Sequence, residues 1–310
     1  MTKLPASLCL FIILSLGLEP SARAQQILKV RADAAAGKIS VYRAGLADPL
    51  LTQNAGPDFR PYIHPITAPD GKGQLTQYSP GHHKHQTGLY WGLTRVNGRD
   101  YFHHPGDGYW RRVSTRVGKP EGGQVSWTTV YDMLGKSGEP VLTETQTWTM
   151  QSAGNSQVIL DLEWQGAARE NVTISKYNYG GLFLRMPWTR GIRAQAKNAA
   201  GDRNQQGEGK RSAWVDVGME IKGRTDDGHV AIFDHPQNDG FPNPWRIDGQ
   251  FGFGPSHARL GDWSIGQGRV KTFRHRFIIY TGAVNADKLN GQWSAWSGQK
   301  IPQRDPRQDR

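Results

Sequence analysis

Cysteine is almost absent from this chain of 310 residues: Cys9 is the only one, in the N-terminal segment. A small scaffold stapled by disulfides is therefore excluded, and the fold must rest on its own core. Long apolar runs are missing too. After Leu8–Leu16 no stretch approaches the roughly 20 apolar residues of a membrane-spanning helix, so no integral membrane association is expected. Helical periodicity is scarce, with one short candidate around Asn285–Leu289. No internal repeat is visible, and no compact block of Lys or Arg precedes the C-terminal tail. The formal charge of +11 is spread among acidic residues, a pattern that speaks against nucleic acid as a partner. An acidic polysaccharide or an anionic envelope surface stays open on charge alone.

The N-terminus carries the marks of export. Lys3 precedes the apolar run Leu8–Leu16, and Ala22-Arg23-Ala24 supplies a small-x-small cleavage signature, so residues 1–24 read as a signal peptide and the mature chain begins near Gln25. Cys9 lies inside the apolar run and not behind it, which is no position for a lipid anchor. A periplasmic or secreted protein is expected, with its charge reduced to about +10 once Lys3, Glu19 and Arg23 leave. Residues 25–298 read as a single domain, since an all-β sandwich of this length is commonly one unit. Residues 299–310, polar and proline-interrupted, read as a disordered tail.

What is present is strand after strand. Val141–Met150 alternates strictly, with Leu142, Glu144, Gln146, Trp148 and Met150 on one face, and Val158–Trp164 places Val158, Leu160, Leu162 and Trp164 on another. The two read as an antiparallel hairpin. Lys38–Arg43, Leu89–Val96, Gln124–Leu134, Val172–Met186, His229–Asp234 and Val270–Tyr280 are further strands. Residues 197–211 have no apolar period and read as a long mobile loop bordering a site. The fold class is all-β, a large antiparallel β-sandwich.

Chemistry concentrates in Ser79–Gly92, where His82, His83 and His85 stand beside Tyr90 and Trp91 among three glycines. Histidine titrates nearest neutrality, which suits proton transfer or metal ligation. Read as an extended segment, the loop puts His83 and His85 on one face and His82 on the other. Three polar residues also fall where alternation expects apolar ones: Glu144, His275 and Arg185. Buried ionisable groups are costly unless paired or facing a cavity, so these mark either internal pairs or a cleft. Asp234 and His235, at a tight strand exit, bring a carboxylate and an imidazole to a cleft rim, or else Asp234 caps the turn.

Arg60–Pro65, Pro80–Trp91, Val96–Phe102, Gly180–Arg185 and Ile232–Asn238 resemble, in order and content, the successive motifs of the DUF6807 family. Its members are labelled PmoA-like, after a subunit of particulate methane monooxygenase, a polytopic membrane protein unlike this chain. The resemblance covers residues 28–281 and implies a sandwich similar to the galactose-mutarotase-like supersandwich, with a carbohydrate substrate. The leading reading is an exported carbohydrate-active enzyme doing acid/base chemistry on a sugar or glycoside by hydrolysis, elimination or epimerisation. His83, His85, Glu144 and His275 are its candidate catalytic residues. Arg60, His64, Tyr90, Trp91, Asn178, Arg185, Trp188, Asp234 and His235 are its candidate substrate contacts, with Tyr90, Trp91 and Trp188 as the ring platform. No cofactor and no metal are assigned. The alternatives are a non-catalytic glycan-binding module, and a metal-dependent oxidoreductase that adds His64, His103 or His104 and Asp107 to the His83/His85 pair.

Overall fold

Alternation of side chains across extended backbone decides the architecture. The computed structural model describes residues 28–121, 123–154 and 156–303, so the signal peptide, the mature start and residues 304–310 of the tail lie outside it. In chain order the strands are β1 (Leu28–Asp33), β2 (Lys38–Arg43), β3 (Leu51–Asn54), β4 (Tyr62–Ile66), β5 (Leu89–Gly92), β6 (Trp110–Val117), β7 (Gln124–Leu134), β8 (Pro140–Ser152) and β9 (Gln157–Ala168). They continue as β10 (Val172–Ile174), β11 (Gly181–Arg185), β12 (Ala194–Asn198), β13 (Trp214–Glu220), β14 (Asp227–Asp234), β15 (Trp245–Ile247), β16 (Gly252–Pro255), β17 (Trp263–Ile265) and β18 (Val270–Thr281), before helix α1 (Ala286–Ser297).

Two eight-stranded sheets result, ordered β1-β2-β3-β4-β5-β11-β16-β15 and β12-β13-β14-β18-β9-β8-β7-β6, with a ribbon of β10 and β17. The strands within each sheet pair antiparallel, including the β8–β9 hairpin read from the sequence. Apolar residues at alternate positions of β8, β9 and β18 meet those of the first sheet in one core cluster that includes Val41, Trp91, Trp164 and Phe277. Trp91 stacks on Trp164 at 4.4 Å across the gap, so the all-β antiparallel sandwich stands.

Local departures have physical reasons. The strand expected over Val172–Met186 is broken, because Gly180 and Gly181 both take positive φ (136° and 101°), conformations that a continuous strand does not hold. Its first part pairs with β17 and its second enters the first sheet between β5 and β16. The helix runs well beyond Leu289, to Ser297, capped by Asn285 at its start and Gly298 in the left-handed region at its end; Asn290 and Gly291 dilute its periodicity in the sequence. Leu289 and Trp293, four residues apart, pack on Trp214 and Phe233 on the outer face of the second sheet. Residues 197–211 are built rather than irregular: they hold the end of β12 and a 3-10 turn at Asn204–Gly207, and Asn198 Oδ1 accepts the backbone N–H groups of Ala200 and Asp202. Among the described residues no helix is long and apolar enough to cross a membrane.

Candidate functional site

A strand cannot point two consecutive side chains the same way. Since Trp91 faces the core, Tyr90 faces outward on the first sheet, where it packs with Phe102 and Phe183. Above this aromatic floor opens a cleft of about 220 Å³. Its walls are His82, His83, His85, His103, Tyr179 and Arg246, with Gln86 and Asp248 completing the lining.

The histidine segment is a compact turn and not an extended strand. Ser79 and Gly81 take positive φ (49° and 51°), and the backbone closes through Ser79 N–H to Gln86 O, His83 N–H to Pro80 O and Gln86 N–H to His83 O. Strand alternation therefore does not apply, and His82, expected on the opposite face, lies ring to ring with His83 at 3.9 Å. The turn leaves the loop at Gly88 (φ 85°), where a Cβ would sit 2.5 Å from Ile63 O. Gly88→Ala is expected to destabilise the fold by at least about 1–3 kcal/mol, read as a lowered thermal midpoint; an unchanged midpoint would contradict this close approach.

The second wall is built by an Asx turn. Asp100 Oδ1 accepts the N–H groups of Phe102 and His103 at 2.9 and 3.1 Å, and its Oδ2 lies 2.6 Å from His103 Nδ1. His103 Nε2 is then 3.1 Å from the hydroxyl of Tyr179, which the break before β11 brings alongside. Arg60 ties the two histidine segments from below. Wholly buried, it donates to Phe102 O at 2.6 Å and His85 O at 2.5 Å, and its guanidinium lies 3.6 Å from the Tyr90 ring centroid. Arg185, also buried, donates to Gln250 Oε1 at 2.8 Å and lies 3.7 Å from Asp248 Oδ1. Arg246 donates through Nη1 to Glu208 Oε1 at 2.9 Å, so the 197–211 segment does reach the cleft rim.

Electrostatics follow from burial. Burial, reinforced by His103 and Arg60, pushes His85 down to about 3, so its imidazole is neutral at neutral pH. Burial, His82 and Arg185 also lower His83. Burial alone would raise the Asp100 carboxyl, but the hydrogen bonds from His103 hold it below its ordinary value. Burial raises the Tyr179 phenol, with Tyr177 adding to the effect.

Of the residues expected from the sequence, His83 and His85 line this cleft, Arg60 and Tyr90 lie beneath it and Arg185 behind it. The others are elsewhere. Glu144, wholly buried on the inner face of β8, accepts from Gln146 Nε2 at 2.9 Å and Trp164 Nε1 at 2.8 Å. His275, equally buried, lies 3.7 Å from Asp234 and 3.4 Å from Phe233 O. Neither lines the cleft, so the acid/base partner proposed for the histidine loop is not found in them. Trp91 belongs to the core and cannot serve as a ring platform, and Trp188 packs on Phe251. His64 bonds Thr76 Oγ1 at 2.9 Å, and Asn178 is exposed, its carbonyl accepting from Arg259. Asp234 is the turn cap: it receives Asn238 Nδ2 and both nitrogens of Asn243, while His235 packs on Trp296.

Asp100, Tyr179, Arg246 and Asp248 escaped the sequence reading, and His103 entered it only as a metal ligand. The local pattern Asp100-x-x-His103 is an Asx-turn signature that could have flagged the first pair. Among the described residues no three His, Cys, Asp or Glu side chains gather so as to hold a metal ion.

The model of a family of unknown function, DUF6807, matches residues 47–294. No curated protein matches the chain in sequence. Galactose 1-epimerase from Lactobacillus acidophilus NCFM is similar over 83% of this chain and 100% of its own, at 7% identity and a TM-score of 0.42. The α-galactosidase from Lactobacillus brevis is similar over 81% of this chain but 42% of its own, at 8% identity and a TM-score of 0.36. A TPR-domain protein from Parabacteroides distasonis is similar over 92% of this chain and 58% of its own, at 10% identity and a TM-score of 0.30. Likeness of this degree assigns no activity.

Proposed function

The chain belongs to the DUF6807 family, whose function is unknown, and from the site alone we propose that it is a carbohydrate-active enzyme performing proton transfer on one sugar unit in the histidine cleft. The observation that carries this reading is the Asp100–His103–Tyr179 relay, with contacts of 2.6 and 3.1 Å, ending at the cleft wall. Asp100 fixes the Nδ1–H tautomer of His103 and so leaves Nε2 as an acceptor toward the Tyr179 hydroxyl. When Tyr179 oxygen takes a proton from a sugar carbon or hydroxyl, its own proton passes to Nε2, and the Asp100 carboxylate balances the imidazolium. The reverse transfer returns a proton, as elimination, epimerisation or hydrolysis requires. The aromatic floor of Phe102 and Phe183 suits the apolar face of a pyranose, and the volume suits one ring. Export is part of the same proposal, on the strength of Leu8–Leu16 and Ala22-Arg23-Ala24.

The test is a panel of sugars, glycosides and their oxidised derivatives incubated with the enzyme in D2O and followed by NMR. Deuterium entering a sugar carbon, or a cleaved or inverted product, is the expected result. A panel that neither binds nor changes would overturn the reading. Proton transfer of this kind uses both His103 nitrogens and needs no metal bound there, so exhaustive chelation is expected to leave turnover unchanged. Loss of activity restored by one specific divalent ion would replace this reading with the metal-dependent one.

A further inference from the structure

Resting on that reading, we propose that the sugar is an acidic one, and that its carboxylate is received by Arg246 at the cleft wall. Arg246 projects from β15 and lines the cleft. Among the described residues its only hydrogen-bond partner is Glu208, reached through Nη1, which leaves the edge formed by Nε and Nη2 uncommitted. Glu208 does not neutralise it alone, because the same Oε1 also receives Arg259 and Oε2 receives the N–H of Ile247. One carboxylate thus serves two guanidiniums, and a positive charge is left over at the rim. A planar guanidinium edge matches a carboxylate with two parallel hydrogen bonds, which a sugar hydroxyl cannot reproduce.

Behind it the same preference is repeated. Arg185 is 2% exposed, and its Nη1 has no hydrogen-bond partner; the nearest carboxylate oxygen, Asp248 Oδ1 at 3.7 Å, is already taken by the backbone N–H groups of Gln250 and Gly252. Gln86, a residue of the cleft lining, is 4% exposed, and its Oε1 is a buried acceptor without a hydrogen-bond partner. Burying a polar atom without a partner is costly, so Gln86 in the lining, with Arg185 packed behind it, favours an occupant that brings hydrogen-bonding groups to this cleft. The field has the matching sign. Besides burial and His82, Arg185 and Arg246 both disfavour the charged form of His83, with Asp248 opposing them. A neutral sugar offers this field nothing, whereas a uronate carboxylate does.

The experiment compares, by calorimetry on the intact protein, glucuronate and galacturonate with glucose, galactose, the methyl esters of the two uronates, and acetate. The acids are expected to bind about tenfold or more tightly than the neutral sugars and the esters, as a charge-assisted pair implies, with the gap narrowing as salt is raised. In Arg246→Gln the ratio of acid to ester is expected to fall toward one, and Arg246→Lys to retain part of it. The ester comparison is made on the wild-type protein and so does not depend on either variant folding. Neutral sugars or esters binding as tightly as the acids would overturn this proposal and leave the carbohydrate reading standing. Acetate binding as tightly as the uronates would reduce the site to a general anion site and overturn it as well. No sugar binding at all would bring down both.

Discussion

Asp100→Asn and His103→Gln are each expected to lower turnover on any sugar the cleft converts by about 10²–10⁴-fold, with little loss of folding. The two variants fail for different reasons, which makes the pair informative. His103→Gln removes the group that accepts the Tyr179 proton. Asp100→Asn keeps the Asx turn, since an amide oxygen still accepts the N–H groups of Phe102 and His103. It presents an N–H to His103 Nδ1, however, where the carboxylate oxygen stands at 2.6 Å. The imidazole must then carry its proton on Nε2, facing the Tyr179 hydroxyl as a donor, and the relay is blocked without a change of shape. Tyr179→Phe removes the terminal hydroxyl and is expected to match the other two. Nitrogen NMR of the labelled imidazole reports the tautomer directly. Turnover within about threefold of wild type in both Asp100→Asn and Tyr179→Phe, with the tautomer shifted as described, would show that this relay carries no catalysis.

The sandwich was legible because its long strands obey a period of two. Val158, Leu160, Leu162 and Trp164 point inward as their spacing demands, and Lys38–Arg43 and Gln124–Leu134 coincide with the observed strands. The content of the site was half legible. Histidines between Ser79 and Gln86 announce chemistry by composition, but their orientation depends on a turn closed by backbone hydrogen bonds, which strand alternation cannot describe. Glu144 and His275 illustrate the opposite limit. Alternation correctly sets both on inward faces, yet it does not say whether that face meets a cleft or a core, and here Trp164, Gln146 and the neighbouring strands satisfy them inside. The same rule, applied to Tyr90 and Trp91, already forbids both from facing one ligand. Tyr179 and Arg246 were out of reach for another reason. One lies in a broken connection and the other on a three-residue strand, and only long-range packing brings them to His103.

Glu144→Gln is expected to remove most of the alkaline loss of stability, by about 3 kcal/mol between pH 4.5 and 8. Burial raises the Glu144 carboxyl to about 7 against its ordinary 4.5, with Trp164, Gln146 and Arg60 opposing, and each pKa unit is about 1.4 kcal/mol. Between those values the folded chain keeps a proton that the unfolded chain has lost. The stability linked to Glu144 is therefore full below pH 4.5 and is lost as pH rises through 7. Asp234, pushed by burial to about 6 from 3.8, acts in the same direction. Burial holds His85 and His275 down to about 3 and His64 to about 4, so their share is present above 6.5 and is lost as pH falls. The two sets oppose each other in mildly acidic solution. Below about pH 4 the histidines act almost alone, and the loss linked to Glu144 continues through pH 7 while the unfolded histidines give up their last protons. Urea unfolding of wild type and Glu144→Gln at pH 4.5, 6.5 and 8 separates the contributions, because the variant leaves the histidine side of the profile untouched. A free-energy difference between the two proteins that does not change across this range would mean that Glu144 is ionised throughout, held by Arg60 against its burial.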